Sequence, residues 1–171
     1  DYYKALELDS NCASAQMSLC AYYSEFFNVE QIEYYVQEIL ANDGISFEEK
    51  TRYIEFAFKL YQNNADHVQK IENVFETVIK ANPESTSALL MYAHVLNEFK
   101  NTPKMLEVLH SAVLLDEKCL NCWKELIAAV VYTDEDDILK TKELVAQALQ
   151  HFPEDAYLLF VEGSILLIEE N

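Results

Sequence analysis

Glycine is almost missing from this chain: there are 2 in 171 residues, with 3 prolines and one tryptophan. Tight turns with positive φ need glycine, so the shortage argues against a loop-rich or all-β protein and for helices. Basic residues are scarce as well. Lys and Arg number 12 against 30 Asp and Glu, a formal net charge of −18. So acidic a surface repels phosphate backbones, and no basic stripe offsets it; nucleic acid is not expected as a partner. Binding to anionic headgroups is disfavoured for the same reason. No apolar run approaches the ~18 residues a membrane span requires, so no direct membrane insertion is expected of these residues. There is no glycine-rich phosphate loop and no serine or cysteine in a nucleophile motif. His67, His94, His110 and His151 are scattered, with no i, i+4 pair among them. The chain therefore reads as non-catalytic, with no cofactor and no metal.

What the chain does have is apolar periodicity. Hydrophobic residues make up 51% and charged residues 25%, a composition that folds. Four phrases share an end-of-helix signature: "KALELDSNCASA", "TVIKANPESTSA", "SAVLLDEKCLNC" and "QALQHFPEDAYL". Aligning Ser10, Pro83, Glu117 and Pro153 gives spacings of 73, 34 and 36. Gly44, in "EILANDGISFEE", splits the first into 34 and 39. Within a period, Leu89, Tyr92, Ala93, Leu96 and Phe99 form one helical stripe, and Met105, Leu106, Leu109, Ala112 and Val113 the next. Thr102 reads as an N-cap with Pro103 at the first helical position. Ser46 and Glu49 read as a capping box. The pattern predicts ten helices at 1–9, 11–27, 29–42, 46–62, 66–81, 84–99, 102–115, 118–133, 135–151 and 154–170. The connections at Asn63–Asp66 and Thr133–Asp136 are expected to be surface turns.

A 34-residue helix–turn–helix period resembles the tetratricopeptide repeat family. That family places a small residue where the two helices of a unit cross, matched here by Cys20, Ala57, Ala93 and Gly163, with Ile127 departing. A second small residue late in the second helix is matched by Ala5, Ala112 and Ala148, while Ile39 and Val78 depart. The large residue before it is matched by Tyr2, Val36, Phe75, Leu109 and Val145. Trp123 and Tyr53 supply the early aromatic, and Pro83 and Pro153 the closing proline. The resemblance implies an all-α, right-handed α-solenoid of antiparallel helix pairs, one array over 1–171. Its units would be 11–43, 46–82, 84–116 and 118–152, flanked by a second helix at 1–9 and a first helix at 154–171. The chain is thus expected to be a piece of a longer array, able to self-associate through apolar cut ends. Its texture is also similar to multi-repeat proteins of Bacteroides-type bacteria, many of them envelope lipoproteins, which implies an envelope location. Four cysteines without a pairing pattern fit a reducing cytoplasm instead.

In this family the first helices line a concave groove. Matched positions here are Met17, Ala21, Ser24, Ile54, Phe58, Tyr61, Leu90, His94, Asn97, Lys124, Ala128, Val131, Tyr157 and Phe160, an aromatic and aliphatic lining. One subgroup grips acidic chaperone tails with Lys, Arg and Asn. The matching places here hold Met17, Ala21, Thr51, Phe58, Ser87 and Leu90, so that clamp is absent. The implied role is a non-catalytic scaffold binding a protein or peptide segment. The alternative is a structural spacer or assembly module in a larger protein or complex. Two further motifs have modest readings. Cys119 and Cys122 form a C-x-x-C without a thioredoxin-like context, so they are expected to be buried structural thiols. Asp134–Asp137 lacks the spaced ligands of a calcium loop and reads as acidic residues favouring a helix N-terminus.

Overall fold

The structure, a computed structural model, describes residues 1–61, 66–133 and 138–169. Among them it contains ten α-helices and no strand. They are α1 Tyr2–Leu8, α2 Ala13–Glu25, α3 Val29–Ala41, α4 Phe47–Tyr61, α5 His67–Ala81, α6 Thr86–Glu98, α7 Thr102–Leu115, α8 Leu120–Thr133, α9 Ile138–His151 and α10 Ala156–Glu169. Every expected helix is present, and the expected ends that fall on described residues agree to within two residues. The acidic run Asp134–Asp137 and most of the two expected long turns lie outside the described residues.

The chain divides into two compact units, Asp1–Ala88 and Leu89–Asn171, with the boundary early in α6. In the first unit, α1 packs on α2, α2 on α3, α3 on both α4 and α5, and α4 on α5. Its core is an apolar seam of Val36, Ile39 and Leu40 from α3, Ile54 and Ala57 from α4, and Val74, Phe75 and Val78 from α5, all fully buried. Burying each of the larger side chains contributes about 1.5–3 kcal/mol. In the second unit α7 packs on α8, α8 on α9 and α9 on α10. Leu96, Ala112, Leu126, Ile127, Val130, Ala148 and Leu158 fill its core.

The small residues expected at crossings are buried at Cys20, Ala57, Ala93, Ala112 and Ala148. Ile39, Val78 and Ile127, the departures, are buried just as fully, so these crossings accommodate a branched side chain. Gly163 differs: a Cβ built there meets no atom of the described residues within 4 Å.

The repeats share local devices that sequence spacing alone does not display. Gln16 donates from Nε2 to the Ser10 carbonyl at 2.9 Å. Trp123, at the matching place, donates from Nε1 to the Glu117 carbonyl at 2.9 Å. Each ties an early helical side chain to the turn six residues before it. Asn42 extends the first tie, donating from Nδ2 to the Asn11 carbonyl at 2.8 Å and to Gln16 Oε1 at 2.9 Å. Its own Oδ1 accepts from the Gly44 N–H at 2.9 Å. Gln16 and Asn42 can be buried because these bonds replace those made to water. The capping box forms: Glu49 N–H donates to Ser46 Oγ, and Ser46 N–H to Glu49 Oε2, both at 3.3 Å. At α7 the cap is Asn101 rather than Thr102, which is the first helical residue.

Two helices end in the same way. Asn28 N–H reaches the Tyr23 carbonyl and Phe27 N–H the Ser24 carbonyl; Asn101 N–H reaches Leu96 and Lys100 N–H reaches Asn97. This is a Schellman closure, which places one residue in the left-handed region. Here it holds Phe27 at φ 52° and Lys100 at φ 57°. A residue with a Cβ costs about 1–2 kcal/mol there.

Among the described residues, one charged side chain is buried without a hydrogen-bond acceptor. Lys50, in α4, has no exposed surface, and its Nζ has no hydrogen-bond partner. Burial pushes its pKa down, and the Asp43 carboxylate only partly opposes this.

Candidate groove

The second unit carries two adjoining cavities along α6, α8 and α10. One, of about 310 Å³, is lined by Ala128, Val131 and Tyr132 of α8, Ile138 and Thr141 of α9, and Tyr157, Phe160, Val161, Ser164, Ile165 and Ile168 of α10. The neighbouring cavity, about 260 Å³, is lined by Leu90, Ala93, His94 and Asn97 of α6, Met105 and Leu109 of α7, and Glu125, Ala128, Ala129 and Tyr132 of α8. Ala128 and Tyr132 line both, so the two cavities adjoin along α8 and together make the candidate groove. Helical spacing explains the lining. Leu90, Ala93, His94 and Asn97 lie on one face of α6, and Ala128, Val131 and Tyr132 on one face of α8. Small residues at 93, 128 and 129 leave room that larger side chains would fill.

An ion pair stands beside this groove, against Tyr157 of its lining. Lys124 Nζ lies 2.8 Å from Asp155 Oδ2 and 5.7 Å from the centroid of the Tyr157 ring. Asp155 also accepts from the backbone N–H groups of Tyr157 and Leu158, which makes it the cap of α10. The Lys124 hydrogen bond holds the Asp155 carboxyl below its ordinary pKa, with help from those N–H groups. Burial, with Tyr132 and Glu125 nearby, raises the Tyr157 phenol. Tyr157 therefore faces the groove as a neutral ring with an O–H that can donate or accept. Tyr132 and Phe160 are largely exposed above the apolar floor. Such a surface can enclose an apolar or aromatic side chain and offer a few hydrogen bonds at its rim.

The first unit has its own shallow concavity between α2 and α4, about 260 Å³, lined by Met17, Cys20, Ala21, Ser24, Arg52, Tyr53 and Phe56. Arg52 sits 4.9 Å over the Tyr53 ring and points Nη2 toward Met17 Sδ at 3.9 Å.

Of the sequence-selected residues, Met17, Ala21 and Ser24 lie in the first concavity, and Leu90, His94, Asn97, Ala128, Val131, Tyr157 and Phe160 in the groove. Lys124 is held in its ion pair beside the groove. Ile54 and Tyr61 are instead core residues, and the half-buried Phe58 packs edge-on against Phe75 at 6.2 Å. Ile54, Ala57 and Tyr61 are spaced i, i+3, i+7, the stripe α4 buries, so its open face falls to Arg52, Tyr53 and Phe56. The sequence reading missed these three, and also Tyr132, Ile165 and Ile168. An i+4 step from Ala128 would have found Tyr132.

Cys119 and Cys122 correct the expectation of separate thiols: they are joined as a disulfide. The cap-to-third-residue spacing at the start of α8 brings their Cα atoms to 5.3 Å, within the span a disulfide bridges. Cys12 and Cys20 are free. Among the described residues, no three His, Cys, Asp or Glu side chains converge as metal ligands would.

Ten α-helices among the described residues, packed on neighbours in chain order, with a 34-residue spacing and small residues buried at the matched places, make an all-α helix-repeat fold of the tetratricopeptide kind. Comparison with solved structures gives the same fold. The chain is similar to YrrB, described as a TPR protein with an unusual peptide-binding site, with a TM-score of 0.54 at 17% identity over 99% of this chain and 84% of that one. It is also similar to TTC0263, a thermophilic TPR protein of Thermus thermophilus, with a TM-score of 0.50 at 18% identity over 97% of this chain and 87% of that one. No protein-family model and no curated protein matches the chain.

Proposed function

We propose that this protein is a non-catalytic interaction scaffold whose second unit receives a peptide segment bearing apolar or aromatic side chains. The observation that carries this reading is the groove along α6, α8 and α10. It has an apolar floor of Val161 and Ile165, exposed rings at Tyr132 and Phe160, and the Lys124–Asp155 ion pair beside it. Exposed aromatic rings around a preformed apolar pocket are what binding hot spots use, since each anchors much area at small entropic cost. YrrB, which shares the fold, is described as having a peptide-binding site, and this supports the reading.

Selection of displayed random peptides on the intact chain tests it. The enriched peptides should carry large apolar or aromatic side chains and should lose at least about tenfold in affinity for Phe160→Glu, because one desolvated anchor is worth over about 1.4 kcal/mol. Enrichment of peptides that bind Phe160→Glu unchanged would contradict the groove assignment.

A further inference from the structure

The first unit carries an aromatic surface remote in sequence from the groove, at the turn between α2 and α3. Phe26 is 63% exposed and Phe27 86%. Tyr22 packs on Phe26 with ring centroids 4.8 Å apart, and on Tyr23 at 5.3 Å. Tyr23 stacks on Tyr35 at 5.9 Å, and Tyr35 meets Tyr34 edge-on at 5.0 Å. The result is a chain of rings crossing two helices, exposed at Tyr22 and Phe26 on one side and at Tyr34 on the other.

Phe27 is doubly unfavourable where it stands. Its backbone occupies the left-handed region, where glycine would be relaxed, and its ring lies in water. The repeat supplies an internal control. Lys100, 73 positions later in the same alignment that pairs Ser10 with Pro83, closes an identical turn with the same backbone bonds. There the exposed side chain is a solvated ammonium. A phenylalanine in that place gains nothing from the fold of its own unit.

Charge identifies what such a ring cluster would meet. From Ala5 to Glu49 the chain has nine carboxylates and not one Lys, Arg or His. Glu25 precedes Phe26 directly, Glu30 follows Phe27 by three residues, and both are exposed. Elsewhere in the same unit, cations are the groups seated on tyrosine rings. Arg52 lies over Tyr53, and Lys70 Nζ lies 4.8 Å from the Tyr61 centroid while bonding Glu33 at 3.2 Å. Ring faces attract guanidinium and ammonium groups, and neighbouring carboxylates strengthen the attraction.

We propose that the α2–α3 turn is a second docking surface, built to take a basic, arginine-bearing segment of a partner protein. Its rings stack on guanidinium planes while Glu25 and Glu30 supply the countercharge. A second copy of this chain, with net charge −18, is electrostatically opposed to that position.

Titration of a fluorescent octa-arginine peptide onto the intact chain, at ~0.15 M salt to screen diffuse attraction, tests the proposal. Phe27→Gly keeps the net charge, relaxes the turn and removes one ring. It should weaken binding about three- to fivefold, and Phe26→Ser with Phe27→Gly about tenfold, as expected for exposed cation–π contacts. Phe27→Trp should bind at least as tightly as the wild type. Leu114→Ser, which removes an exposed apolar side chain in the other unit, should leave binding unchanged. If Phe27→Gly frays, Phe27→Asn, which also tolerates the left-handed region, should show the same loss. Equal affinity for the double variant would overturn the proposal, leaving only diffuse charge attraction. It would also be overturned by a dimer that dissociates in Phe27→Gly while octa-arginine affinity stays constant, since the turn would then face a second copy.

Discussion

Replacing Lys50 by Met should stabilise the protein, although it removes a charge from an acidic chain. The lysine side chain has no exposed surface, and its ammonium has no hydrogen-bond acceptor. A buried donor left unsatisfied costs about 1–3 kcal/mol, and methionine offers similar length without a polar head. Asp43 gives back part of the cost through its charge. A net gain of about 1–2 kcal/mol at pH 7 follows, which for a chain of this size raises Tm by about 2–8 °C. The pH dependence has a fixed sign. Burial places the folded-state pKa below the ordinary 10.5, so the unfolded chain binds the proton more tightly. The penalty is complete below the folded-state pKa and fades as pH rises toward 10.5. The advantage of Lys50→Met should therefore shrink between pH 7 and pH 10. Urea denaturation of both proteins across that range measures it. A methionine variant less stable at pH 7, or an advantage that grows with pH, would refute the reasoning.

Three other outcomes are expected. Ala112→Trp should lower the denaturation midpoint more than most single changes, because Ala112 is fully buried and overpacking costs about 1–3 kcal/mol; an unchanged midpoint would contradict the packing. Gly163→Ala should stabilise α10 by about 0.5–1 kcal/mol, since a Cβ there meets open space; destabilisation, read by circular dichroism melts, would show that something packs on it. Thiol titration of the unfolded, unreduced chain should count two free thiols, Cys12 and Cys20. A count of four would show Cys119 and Cys122 as a dithiol.

The helices were legible in the sequence because their signals are local. Ser46 and Glu49 announce their capping box, and Leu89 to Phe99 announce an amphipathic stripe without help from distant contacts. The features that escaped depend on three dimensions or on an absent signal. The left-handed closures at Phe27 and Lys100 lack the glycine by which such turns are recognised. Ile54 and Tyr61 were matched to groove positions by repeat register, but α4 buries that stripe and opens the face carrying Tyr53. The Gln16–Asn42 bond joins residues 26 apart, which no short window along the chain reports, and nothing in the residues around Lys50 marks its burial. The groove itself was half legible. Leu90, His94 and Asn97 follow from spacing on α6, whereas the part played by Ile165 and Ile168 depends on how α10 lies against α8 and α9.

The groove of the second unit is the proposed binding place of a partner segment. Chemical-shift mapping on the isotopically labelled chain, titrated with a peptide selected for binding, tests it most directly. The largest shifts should fall on Leu90, His94, Asn97, Val131, Tyr132 and Phe160, saturating together at one affinity. Shifts confined to residues outside α6, α8 and α10, with those six unmoved at saturation, would contradict it.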